Sequence, residues 1–259
     1  MNNKHAIHKQ LTTHYSLLTN FAFTLAETLI VMGIIGVVAA LTLPNLNSST
    51  GDKEKIAKVK KFYSNFSDAF GRAEVVYGPV DEWFKNDANN AAKTKRFAER
   101  LADFMKISKN CQTGTGCFAT GKQKKLRGGE SSADFNNSTL YYKYVLADGT
   151  SIGFNVVDIS GESEFYDINL ILDIDGPNAG GNTLGKDVYF IWEIGKDGSL
   201  RSGSDDFSVF SDIKQNCFID GSECTGWIMQ TGNMDYVKAD KDGKCPNGTQ
   251  LSETVTSCK

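Results

Sequence analysis

The chain has 259 residues, 40% of them hydrophobic and 23% charged, with a formal net charge of -3. That composition suits one sizeable core, and its slight acidity and scattered basic residues argue against nucleic acid as a partner. All three histidines, His5, His8 and His14, sit at the extreme N-terminus, which argues against Ser-His-Asp, Cys-His and His-metal chemistry in the remainder.

Residues 1–22 are polar, with Lys4 and Lys9 and no acid. Residues 23–43 then carry a single charge, Glu27. At 1.5 Å per residue this predicts a helix of about 31 Å, enough to cross a hydrocarbon core. A carboxylate in that setting costs about 2.5–3.5 kcal/mol on insertion scales, so Glu27 calls for a reason. Lysines before the span and none directly after it place the N-terminus in the cytoplasm. Pro44 predicts a kink or stop, and "NLNSSTG" (45–51) a loosened connection.

Helical periodicity follows. Ile56, Val59, Phe62, Phe66, Phe70 and Ala73 recur three and four apart, one apolar face suited to packing on the protein's own sheet. The lysine-rich "KVKKFYSNF" (58–66) reads as lysines on one face of a helix rather than a nucleic-acid patch. A second helix is predicted over 91–108, with Phe97, Leu101, Phe104 and Met105 on one side.

After Cys111 glycine becomes frequent. "TLYYKYVLADGTSIGFNVV" (139–157) reads as two strands around an Asp148-Gly149 hairpin turn. Residues 165–175 and 186–194 are further strands, the second entering a turn at Asp197-Gly198, and the chain from Gly203 onward is loop-rich. The predicted class is α+β: a long N-terminal helix packed on an antiparallel sheet, with a disulfide-closed C-terminal region.

The six cysteines, Cys111, Cys117, Cys217, Cys224, Cys245 and Cys258, read as up to three disulfides in an exported protein. Six cysteines allow 15 connectivities; the preferred set is 111–117, 217–224 and 245–258, because each pair closes a small loop. The spacings C-x₅-C, C-x₆-C and C-x₁₂-C, with no histidine nearby, are unlike a zinc site. Trp83, Trp192 and Trp227 suit a sugar platform or, more commonly, a core. No G-x-S-x-G, phosphate loop or histidine pair points to an enzyme.

The segment "LDIDGPNAGGNTLGKD" (172–187) gathers Asp173, Asp175, Asn178, Asn182 and Asp187 in a glycine-rich loop. Oxygen donors on a flexible loop suit calcium. The EF-hand glutamate is missing, and an Asp/Asn/Gly turn accounts for the same residues by backbone geometry, which is the preferred reading.

Together the N-terminal features, "FAFTLAETLIVMGIIGVVAALTLPNL" (21–46), resemble type IV pilins and type II secretion pseudopilins. The family shows a charged leader ending in a small residue, then phenylalanine, a hydroxyl residue, leucine, any residue and glutamate. Here Ala22 takes the cleavage position, Phe23 the new N-terminus, and Thr24, Leu25 and Glu27 match in order; Pro44 falls where the family's helix-breaking proline does. Alanine replaces the family's usual glycine before the cut, which implies slower processing, and the 22-residue leader is long for the family.

The resemblance implies a layout of leader 1–22, transmembrane and assembly helix 23–46, amphipathic helix 47–80 and globular domain 81–259. It implies cleavage after Ala22 by a prepilin peptidase, methylation of the Phe23 amine, and a non-enzymatic, structural role in a filament. Its partners would be the peptidase, sibling pilin subunits, the inner-membrane platform protein and the assembly ATPase. The subunit would start as a single-pass inner-membrane protein and end in a periplasmic or extracellular filament. Some major pseudopilins hold calcium in the region matching 172–187, so that is the one cofactor implied. The alternatives are a Sec signal cut near "VVAAL" (37–41) and a plain single-span anchor, each carrying an adhesin- or lectin-like domain.

Overall fold

The computed structural model describes residues 25–158, 165–178, 181–191, 193–201 and 213–259, with the side chains of 39–50, 158, 165 and 215 left aside. The chain divides into two compact units, Met1–Ser48 and Ser49–Lys259.

Helix α1 spans Leu25–Tyr77. In the first unit every side chain from Leu25 to Val38 is exposed, large apolar ones included. Among the described residues no helix is long and apolar enough to cross a membrane. The expected span of 23–43 extends past Leu25–Val38 at both ends. α1 also runs through Pro44 and 45–51, where the sequence predicts a stop and a loosened connection. A proline forfeits one i→i−4 bond, and a long helix absorbs that loss.

The second unit is α+β. After α1 come the short α2 (Val80–Trp83) and α3 (Asn90–Ala102), the latter capped by the Asn89 side chain, which accepts from Ala92 N at 2.9 Å. The predicted second helix therefore stops short of 108. Residues 107–112 form strand β1, whose polar sequence carries little strand signal.

The strands are β1 (Ile107–Gln112), β2 (Tyr142–Leu146), β3 (Ser151–Asp158), β4 (Phe165–Asp173), β5 (Val188–Ile191), β6 (Glu193–Gly195) and β7 (Leu200–Arg201). All pairings are antiparallel, in the order β1-β2-β3-β4-β6-β7, with β5 also on β4. β5 pairs with Leu170–Asp173 and β6 with Phe165 and Tyr166, so the one strand expected over 186–194 is two. Both predicted turns form: Gly149 (φ 88°) and Gly198 (φ 79°) take left-handed conformations that favour glycine. A Cβ on Gly198 would sit 2.7 Å from Phe70, so that turn lies directly against α1.

The predicted stripe of α1 is buried: Val59, Phe62, Phe66, Phe70 and Ala73, with Ile56 partly so. It meets Phe154, Ile168, Leu170 and Leu172 from one sheet face, together with Trp83 and Phe97. The opposite face is covered as well. There Tyr141, Val145, Ile171, Val188 and Phe190 pack with Cys117, Phe118 and Phe135 from the connection between β1 and β2. The C-terminal region, expected to be loop, contains a π-helix at Lys214–Asp220 and helix α4 (Cys224–Thr231). Thr225 on α4 donates its hydroxyl to Phe190 O at 2.6 Å, tying α4 to β5.

Candidate functional site

Of the N-terminal motif, Ala22, Phe23 and Thr24 lie outside the described residues; Leu25 and Glu27 stand in the first described turn of α1, and Pro44 lies within the helix. Thr28 donates its hydroxyl back to Leu25 O at 2.9 Å.

The acidic loop after β4 is organised around charge. Asp173 is buried, and its Oδ1 accepts from Asp175 N at 3.1 Å and Gly176 N at 3.0 Å, the hydrogen bonds of an Asx turn. Burial pushes its carboxyl up to about 7; the two backbone donors pull it down, and Asp175 and Asp187 push it up. Ile174 N donates to Asp187 O at 3.0 Å, joining the two ends of the loop. Gly176 is required here, because a Cβ would lie 2.1 Å from Gly149 O in the β2–β3 turn.

The remaining carboxylates meet lysines of α1. Lys55 donates to Asp187 Oδ1, a carboxylate otherwise closed from solvent. Lys58 Nζ stands 3.5 Å from Asp175 Oδ1 and 3.4 Å from Ile174 O, and also 3.4 Å from Glu54 Oε1. Asn178 is exposed, and Asn182 offers its backbone carbonyl to Lys124 N at 2.8 Å. The five candidate calcium donors therefore do not converge. Among the described residues no group of three or more acids, histidines or cysteines is placed to hold a metal.

The cysteines pair as Cys111–Cys117, Cys217–Cys224 and Cys245–Cys258. Two charged residues reinforce the C-terminal region. Asp235 accepts from Lys238 Nζ at 2.7 Å, Ser257 Oγ at 2.9 Å and Cys258 N at 2.9 Å, holding the tail beside its disulfide. Burial alone would raise its pKa; those donors outweigh burial and lower it. Arg127 donates to Phe218 O at 2.9 Å, Val237 O at 3.2 Å and Tyr236 O, and burial pushes its pKa down.

Lys143 is wholly buried in β2, on the face covered by the β1–β2 connection. Its ammonium donates to Phe135 O at 3.2 Å, Asn136 O at 2.8 Å and Ser138 O at 2.8 Å, so all three protons are used. Burial lowers its pKa, with Asp134 opposing. Of the tryptophans, Trp83 and Trp227 are core residues and Trp192 lies outside the described residues. Lys55, Arg127, Lys143 and Asp235 carry no motif, and Lys58 stands out only as the start of the lysine-rich stretch 58–66. Only the i,i+3 spacing of Lys55 and Lys58 hints at a shared task. No family model, curated protein or solved structure matches the chain.

Proposed function

We propose that this chain is a structural subunit of a type IV pilus or type II secretion pseudopilus. The observation that carries the reading is the apolar start of α1: Leu25, Leu29, Ile30, Val31, Met32, Ile34, Ile35, Val37 and Val38 are all exposed. A helix apolar all round is at home in lipid or among other helices, not in water. The same helix supplies, from Ile56 to Ala73, one wall of a disulfide-bearing α+β domain. The order Ala22, Phe23, Thr24, Leu25, Glu27 at its start supports processing by a prepilin peptidase.

On this reading α1 stores the subunit in the inner membrane and then packs among sibling helices, handed over by the platform protein and its ATPase. Cleavage after Ala22 creates an ammonium at Phe23, and Glu27 of a neighbouring subunit pairs with it. Pairing removes much of the cost of a desolvated carboxylate, so the charge sets register. The domain has no catalytic task.

N-terminal sequencing and intact mass of the mature protein test the processing, with N-methylated Phe23 expected. A start near residue 41, or an intact Met1, overturns it. Glu27→Val should keep leader removal and lose incorporation into filaments; normal incorporation refutes the pairing.

A further inference from the structure

We propose that Lys55 and Lys58 are the built-in cation of the loop between β4 and β5, in place of a divalent ion, and that this clip marks where the domain's hold on α1 begins. The inference stands apart from the proposed filament role. Two lysines carry the same formal charge as one divalent ion, and they face Asp187 and Asp175 at the two ends of the loop. Lys58 also reaches Ile174 O, a carbonyl of the kind calcium takes. Asp173 turns its Oδ1 to its own backbone, and Asn178 and Asn182 do not join the group. A calcium ion at this loop would have to displace two tethered ammonium groups, whose local concentration is fixed by the helix.

The second half follows from position. The domain begins at Ser49, and among its described side chains the first apolar residues of α1 that pack on its core are Ile56, partly buried, and Val59, fully buried. Lys55 and Lys58 bracket that start. With the clip cut, Ile56 is the one apolar side chain among the described residues of 51–58 that still packs on the core. Local opening is then set by the few contacts left.

The test uses the full chain in detergent, with calcium chloride or a chelator as the only additive, read by melting temperature and amide hydrogen exchange. The wild type should melt at the same temperature in both. Lys55→Met/Lys58→Met should speed exchange about tenfold or more in peptides covering 49–58 and in those containing Ile174 and Asp187. Lys55→Arg/Lys58→Arg should keep the protection. Lys61→Met, which removes an exposed pair with Asp148, should leave both segments unchanged. A calcium-raised melting temperature in the wild type overturns the proposal. So does unchanged exchange in the double methionine variant. Should that variant not fold, Lys58→Met alone must deprotect the Ile174 peptide, or the proposal fails.

Discussion

The ring of Phe66 lies 6.2 Å from that of Phe154, tilted 38° to it, and both side chains are fully buried. This contact joins α1 to β3. It continues through Phe97, 5.5 Å from Phe154 and edge-on, and through Trp83, 5.9 Å from Phe97. One aromatic chain thus holds α1, α2, α3 and the sheet together.

Phe66→Ala should therefore cost about 3–5 kcal/mol, because the cavity would open where three elements meet. Phe66→Leu, which keeps most of the volume, should cost under about 2 kcal/mol. Urea denaturation of the two variants measures the difference; equal, small effects would show that the cluster does not carry the fold.

Lys143→Met should cost about 3 kcal/mol, although it places an apolar residue in an apolar layer. The methionine fills the space, but three carbonyls lose their donor, two of them closed from water. Hydrogen exchange should show the loosening concentrated around 134–138. A variant as stable as the wild type would mean that water reaches those carbonyls.

Asp235 predicts a pH dependence. Its folded pKa lies below the ordinary aspartate value of about 3.9. The stabilisation it supplies is therefore complete above about pH 5 and is lost as the pH falls through and below about 4. Asp235→Asn should lower stability at neutral pH and flatten the acid limb of the stability–pH curve. Parallel curves for the two proteins would contradict the assignment.

Removing the Cys245–Cys258 pair by serine substitution should cost about 3 kcal/mol, the figure for closing a loop of this size. The loss should be local: Ser257 and Cys258 remain tied to Asp235, so the tail should loosen without releasing the core. Near-ultraviolet circular dichroism and proteolysis of the tail distinguish local from global loss.

The α1 stripe and the two hairpin turns were legible because their signals are local: a 3.6-residue period, and glycine where φ must be positive. β1 was not, since an edge strand reading "ISKNCQ" needs little apolar content. The short helices at 214–231 were hidden by cysteine, glycine and asparagine, which read as loop. Lys143 illustrates a deeper limit. Strand alternation puts it on the face opposite Tyr142 and Tyr144, and an antiparallel sheet commonly leaves one face wet. Only the packing of the β1–β2 connection, distant in sequence, makes that face dry. The loop acids were readable as a turn; their lysine partners, more than a hundred residues away, were not.

The three disulfides span only 6, 7 and 13 residues of sequence. Loop-closure entropy favours the nearest thiols, so of the 15 pairings open to six cysteines the native one is also the quickest to reach by chance encounter. Each bond joins residues close along the chain, so none ties one distant strand to another. Oxidation therefore asks only for local closure of the chain: each thiol lies within reach of its partner whether or not β2, β3 and β4 have found their register.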